Sequence, residues 1–479
     1  MRPSILKSSL WCRQAVARAT VAMAMLLAAG CASYTARPIE PAATAAALEK
    51  RSLDDAGLQS FLAAARPQQA AANTASWDLS SLTLAALYFH PDLEISKARL
   101  ALARAGVKTA GQLPNPTFTL DPTQHGVVVD PSPWTVGFLI TFVLETAGKR
   151  DKRLEQARNL VDAARQDLAT AGWQVRGGVR TGLLDLWAAD GRHRLAVRRQ
   201  AVQEQVVALL ERRFGAGEAS ALDVARERIA LGQARLALRE AERQAADARA
   251  RLATAVGVPL RAVEALRPAF AAFDDPLRTP DPAALSAGEM RRTALRARTD
   301  VLGLLAQYEA AQSALKLAIA KQYPDLSVGP GYAYDQGDNL YTFAVGTEVP
   351  ILNQNQGPIA EAEARRGEAA ARVVALQATV IGSIDRSLAA WQSAGRGLGT
   401  AEELVRAETL RRARIERAVR LGEADRLAGL TAELEQVVVE QARFEAIVQQ
   451  REALAQIEDA LQVPMFDADE TSLKLPAPS

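Results

Sequence analysis

Cysteine is nearly absent from this chain. Cys12 and Cys31 are the two among 479 residues, too few for a disulfide framework. The three histidines, His90, His125 and His193, are scattered and lack metal-ligand spacing. Zinc and redox enzymes are excluded first, and no metal or cofactor is expected. Charge of one sign is also lacking: Lys+Arg 57 against Asp+Glu 55 leaves +2. No long-range field therefore favours nucleic acid or an anionic lipid surface. Catalytic signatures are missing, with no G-x-S-x-G, P-loop or HExxH, so we expect a non-enzyme. A mean hydropathy of -0.05 excludes a helical membrane bundle. Aromatics are 5%; what abounds is Ala, Leu, Arg, Glu and Gln, a composition of long helices. The length implies two or three structural units.

The N-terminus reads as a targeting device. Arg2, Lys7, Arg13 and Arg18 precede an apolar run from Val21 to Ala29, followed by Gly30 and Cys31. The run is shorter than the ~20 residues of a spanning helix and has the layout of a signal peptide. Residues 26–31 resemble a bacterial lipobox, with Ala28 where leucine is usual, which implies lipidation of Cys31 and cleavage before it. An ordinary secretory signal with an incidental cysteine is the alternative. Cleavage at Cys31 also removes Cys12, so the mature chain cannot form an internal disulfide.

The remainder is a tandem repeat with a shift of 205 residues. Leu154–Arg158 recurs at Ile359–Glu363, Phe214–Ala219 at Val419–Ala424, and Ala255–Pro259 at Ala460–Pro464. Upstream, with small insertions, Leu113-Pro114 answers Tyr323-Pro324. A Pro-rich stretch from Pro259 to Pro282 separates the copies. The expected organisation is a signal peptide over 1–30, an anchored segment over 31–75 and a first repeat over 76–264. A linker over 265–287, a second repeat over 288–465 and a tail over 466–479 follow.

Each copy reads as helix, β-hairpin, long helix, tight turn, helix. The first helix spans about 80–111 and stops at Pro114 and Pro116. The hairpins alternate with period two. Trp134, Val136, Phe138, Ile140, Phe142 and Leu144 oppose Thr135, Gly137, Leu139, Thr141 and Val143; Tyr332, Tyr334, Tyr341 and Phe343 oppose Gly331, Ala333, Leu340 and Thr342. Strands of about ten residues, apolar on one face and small or polar on the other, suit a transmembrane β-barrel, although a soluble half-buried hairpin shares the alternation. The expected lipid face is Trp134, Phe138, Phe142, Tyr332, Tyr334, Tyr341 and Phe343.

Helix length favours the first reading. Residues 149–213 and 361–420 are helical in pattern and free of proline, about 100 Å of helix each at 1.5 Å per residue. Two shorter helices, about 80–111 and 218–256, laid end to end match one long helix. Two hairpins give four strands, single-chain outer-membrane barrels start at about eight, and open edges are not tolerated in lipid. One chain cannot close a barrel, whereas three copies give twelve strands.

The repeat, the lipobox, the strand-to-helix segment Leu144–Arg150 and the two glycine turns resemble the TolC-type outer-membrane efflux factor family over nearly the whole mature chain, Ser80 to Met465. The resemblance implies a mainly α fold with a membrane β-barrel. A homotrimer would set a 12-stranded β-barrel on an α-helical barrel, in outer-membrane lipid and extending into the periplasm. It implies an exit duct docked to a periplasmic adaptor protein and an inner-membrane pump of RND type. An outer-membrane component of type I protein secretion, a periplasmic coiled-coil adaptor lipoprotein and a lipid-anchored enzyme are the alternatives. The resemblance also places the periplasmic entrance and adaptor docking at Arg213, Gly217, Asp223, Arg420, Gly422 and Arg426. There, Asp223 is expected to pair with Arg426 to hold the end shut. Residues 145–150 are similar to efflux factors of heavy-metal pumps. After cleavage only Met290 and Met465 remain, so a methionine relay for soft metals is absent. Drugs, metal ions and a secreted polypeptide all stay open as cargo.

Overall fold

The computed structural model describes residues 33–65, 77–126, 134–274, 286–335 and 337–466; the signal segment and Cys31 lie outside them. The chain divides into two compact units, 1–50 and 51–479. Among the described residues of the first unit is one helix, Pro41–Glu49, which starts with proline in its first turn and buries none of its residues.

The second unit contains both repeats. The first comprises α1 (Leu79–Phe89), α2 (Pro91–Ala110), β1 (Thr117–Gln124), β2 (Trp134–Leu144), α3 (Lys149–Gly215) and α4 (Ala221–Val256). The second comprises α5 (Ala287–Ala297), α6 (Thr299–Ala320), β3 (Leu326–Asp335), β4 (Asp338–Thr347), α7 (Gln356–Leu421) and α8 (Arg426–Leu461). The 205-residue shift carries the start and end of α4 onto those of α8. It also carries Gly217 (φ 77°) onto Gly422 (φ 74°), left-handed positions that glycine occupies without a Cβ penalty.

The one helix expected over 80–111 is two. Pro91 has no N–H to donate backwards, so it starts α2, and His90 turns out of the helix at φ −69°, ψ 126°. The second copy breaks at the equivalent place, Arg298, with φ −63°, ψ 127°. Asp78 caps α1 by accepting from the Ser81 N–H at 2.7 Å.

The core gathers around the middle of α3. Leu82, Leu93, Leu183, Leu252, Met290 and Leu454 are buried together. Trp187 lies against Phe444 and Phe273 and donates its indole N–H to Asp274 at 2.8 Å. Phe273, from the stretch separating the copies, is itself buried.

Charge stitches α3 to α8. Fully buried Glu458 accepts from Arg176 and, at 2.9 Å, from Arg180, which also reaches Asp459 at 2.6 Å. The other Glu458 oxygen accepts the N–H groups of Met465 and Phe466 at 2.7 and 3.2 Å, fastening the end of the repeat. Further along, Arg192 meets Glu445 at 2.8 Å and Arg198 meets Glu440 at 2.6 Å.

Candidate functional site: an aromatic sheet face and paired helix tips

The two hairpins join into one antiparallel sheet ordered β1-β2-β3-β4. Register decides its faces. Phe138 stands opposite Leu120 on one side and Tyr332 on the other, and Tyr332 opposite Tyr341. Trp134, Phe142, Tyr334 and Phe343 fall on that same face by the period of two. Ring centroids run Phe118–Phe138 at 6.1 Å, Phe138–Tyr332 at 5.9 Å and Tyr332–Tyr341 at 5.5 Å, a cross-strand aromatic ladder. Phe118, Trp134, Phe138, Phe142, Tyr341 and Phe343 are all exposed, a contiguous apolar surface of the kind that marks a membrane or protein contact. The opposite face carries mostly small or polar residues, Thr135, Gly137, Thr141, Ser327, Gly329, Gly331, Ala333, Thr342 and Gly346, together with Leu139, Val143 and Leu340. All seven residues expected on the lipid face share one side.

The outer edges of β1 and β4 have no partner strand within this sheet. At the foot of the sheet the segment 145–150 acts as a clamp. Asp325 accepts from the Lys149 ammonium at 2.6 Å and the Thr146 N–H at 2.9 Å, while the Thr146 hydroxyl donates to the Pro324 carbonyl at 2.6 Å. Arg153 forks onto Glu145, and Arg150 donates to the Gly111 carbonyl at 2.9 Å. This segment ties the first hairpin to the strand entering the second.

At the far end of the long helices the two glycine turns carry the expected entrance residues. Arg213 donates to Asp425 at 2.7 Å, linking the end of α3 to the start of α8. Asp425 also caps α8, accepting from the Ala428 N–H at 2.8 Å. That backbone donor first, and then Arg213, holds its carboxyl below the usual carboxylate range. Asp223 serves its own helix instead. It exchanges hydrogen bonds with Ser220 in a capping box, 2.6 Å from hydroxyl to carboxylate and 3.1 Å from backbone N–H to hydroxyl. The Ser220 hydroxyl, then its backbone N–H, lowers the Asp223 pKa.

The expected Asp223–Arg426 pair is therefore corrected. Within the described residues of the chain these two make no ion pair, and Arg213–Asp425 is the link across the turns. The carboxylate of Asp223 is committed to its helix start. Asp425 carried a readable signal, being the 205-residue counterpart of the N-cap Ser220. Gly217 and Gly422 lie at the turns as expected, and Arg420 and Arg426 flank the second one. Among the described residues no three His, Cys, Asp or Glu side chains converge to hold a metal ion.

Residues 82–258 match the outer membrane efflux protein family. The pyoverdine export outer membrane protein OpmQ of Pseudomonas aeruginosa is 29% identical over 304 residues, covering 58% of this chain and 62% of that protein. The cobalt-zinc-cadmium resistance protein CzcC of Cupriavidus metallidurans is 24% identical over 270 residues, covering 56% and 61%. The match thus spans about three fifths of the length of these curated relatives. Among solved structures, the outer-membrane channel OprN superposes with a TM-score of 0.65 at 19% identity, over 91% of this chain and 99% of that one. The outer membrane protein VceC of Vibrio cholerae gives 0.65 at 17% identity, over 80% and 95%. Repeat, joined hairpins and paired helix tips agree with these matches: residues 82–258 are similar to the outer membrane efflux protein family, and the chain has the fold of a TolC-type channel protomer.

Proposed function

We propose that three copies of this chain form an exit duct through the outer membrane and periplasm, receiving cargo from an inner-membrane pump through a periplasmic adaptor. The observation that carries this reading is the four-stranded sheet. One face is an exposed aromatic surface, the other is mostly small or polar, and both edges are open. In lipid an open edge leaves backbone N–H and C=O groups without partners, so the sheet must close against further copies. Three copies supply twelve strands, within the range of outer-membrane barrels.

The inner face, mostly glycine, serine, threonine and alanine with Leu139, Val143 and Leu340 among them, suits a water-filled passage. Cargo choice then belongs to the pump. Of the relatives, one is named for pyoverdine export and one for cobalt, zinc and cadmium resistance, and small-molecule or metal-ion export by this chain accords with both. Arg213–Asp425 and the flanking Arg420 and Arg426 would form the periplasmic end where an adaptor docks. Cys31 would bear the lipid anchor; mass spectrometry of the mature N-terminus tests this, and an unmodified N-terminus at another residue rejects it.

The function is tested by fractionation and planar bilayers. Outer-membrane fractionation with discrete channel conductance from the purified protein is expected. A soluble or inner-membrane protein without conductance would overturn the reading.

A further inference from the structure

Within one chain the two repeats meet where α3 packs on α8. Arg198 on α3 lies 2.6 Å from Glu440 and 3.8 Å from Glu433 on α8. Beside this pair Leu427, Leu430 and Leu434 of α8 pack with Val202, Val206, Leu209 and Leu210 of α3. Moving the charged trio and its flanking leucines by the repeat shift of 205 gives a second seam, between α7 and α4. In it Leu430 becomes Ala225, and Val202, Val206, Leu209 and Leu210 become Ala407, Arg411, Arg414 and Ile415. Arg198 becomes Glu403, and Glu433 and Glu440 become Arg228 and Arg235. Donor and both acceptors change sign together, so the attraction is kept. Leu427 and Leu434 become Leu222 and Ile229. Their apolar character is kept too, but these two are 68% and 65% exposed. On α7, Leu410 is 63% exposed and lies seven residues beyond Glu403, on the same helix face.

Within one chain, no ion pair among the described residues joins α4 to α7. Arg228 and Arg235 reach only Glu211 and Glu204 of α3, through solvent-exposed pairs that a better-placed carboxylate can share.

We propose that α7 of one copy docks on α4 of a neighbouring copy, with Glu403 lying between Arg228 and Arg235 of that neighbouring copy and beside its Leu222 and Ile229. The proposal rests on the trimeric reading and deepens it by naming the faces that meet and their charge sense. The exchange of sign also sets the order of repeats. Glu403 is repelled by Glu433 and Glu440, so α7 cannot replace α3 on α8, and Arg198 is likewise repelled by Arg228 and Arg235. First and second repeats must then alternate around the ring, which is the condition for closure.

Cysteine cross-linking tests the seam. A chain carrying Glu403→Cys and Arg235→Cys, oxidised in detergent, should run on a non-reducing gel as covalent two-chain and three-chain species. Cross-links confined to single chains, or none, while native mass spectrometry still finds trimers, would overturn the seam and leave the trimeric reading standing. Absence of trimers in the unsubstituted protein would instead overturn the reading beneath it. In a second arm, Glu403→Arg should shift trimer to monomer, and adding Arg228→Glu with Arg235→Glu should restore it. Equal trimer content in all of these variants would also count against the pairing.

Discussion

Helices α3 and α7 are one structural element used twice, 67 and 66 residues long. Yet α3 buries Trp173, Val179, Leu183, Trp187, Val202 and Val206 along its length, whereas α7 buries only Ala362, Val380, Ile384, Ser387 and Ala394. The difference is in the neighbours rather than in the helices. α3 is covered by α1, α2 and α4 of its own repeat and by α6 and α8 of the other. α7 packs on α5, α6 and α8 of its own repeat, and the counterparts of the two cross-repeat neighbours, α2 and α4, would come from another chain. Helix α3 is thus covered within the chain while α7 and the outer face of α4 are left open, as expected of one segment of a ring.

Breaking the completed side should have the largest effect. Glu458→Ala leaves Arg176 buried without its carboxylate and Arg180 with Asp459 alone, a loss of about 3–5 kcal/mol. Thermal unfolding in detergent should show a large fall in Tm. Glu403→Gln, on the open side, should move the Tm of a detergent-dissociated chain by no more than about 0.5 kcal/mol equivalent. Equal effects would erase the contrast. Cavity formation sharpens it: Leu183→Ala should cost about 2–5 kcal/mol in either state. Its repeat counterpart Leu388→Ala should cost less in the dissociated chain, because Leu388 is only partly buried there.

The sheet gives a second contrast, between inner strand β2 and edge strand β4. Phe138→Arg and Phe343→Arg should each cost about 2–4 kcal/mol if near the bilayer midplane, read as lost assembled protein in the outer-membrane fraction. A soluble half-buried hairpin would instead tolerate arginine at Phe343, which is exposed on the edge strand.

The smallest effects belong to the helix tips. Asp425→Ala removes a helix cap worth about 0.5–2 kcal/mol. Its ion pair with Arg213 adds at most about 1 kcal/mol, reduced further by solvent because Asp425 is half exposed. Opening should rise without unfolding, read as higher single-channel conductance. The Asp425 pKa is depressed in the folded chain. Its stabilising contribution is therefore present above the unfolded value of about 3.9 and lost as pH falls through the lower folded value. Acid should open the tip only below about pH 4, and Asp425→Asn should abolish that step.

Much of this was legible because it is periodic. The 205-residue shift, the glycine turns, the long helices and the alternation around Phe138 and Tyr332 repeat along the chain, and periodicity is what a single sequence displays. Pro91 is a visible break inside the helical pattern of 80–111. Pairings between distant residues were not legible. Nothing near Arg176 or Arg180 points to Glu458, and nothing near Thr146 points to Asp325; the fold alone brings them together. At the tip, Asp223 looked free for a long-range pair because a capping box and an ion pair draw on the same carboxylate chemistry.

Native mass spectrometry of the purified protein in mild detergent tests the central claim most directly. The account predicts a dominant species of three chains, because each open sheet edge and each uncovered α7 needs a neighbour. A monomer or dimer as the sole species, under conditions where the helical repeat stays folded by circular dichroism, would contradict it.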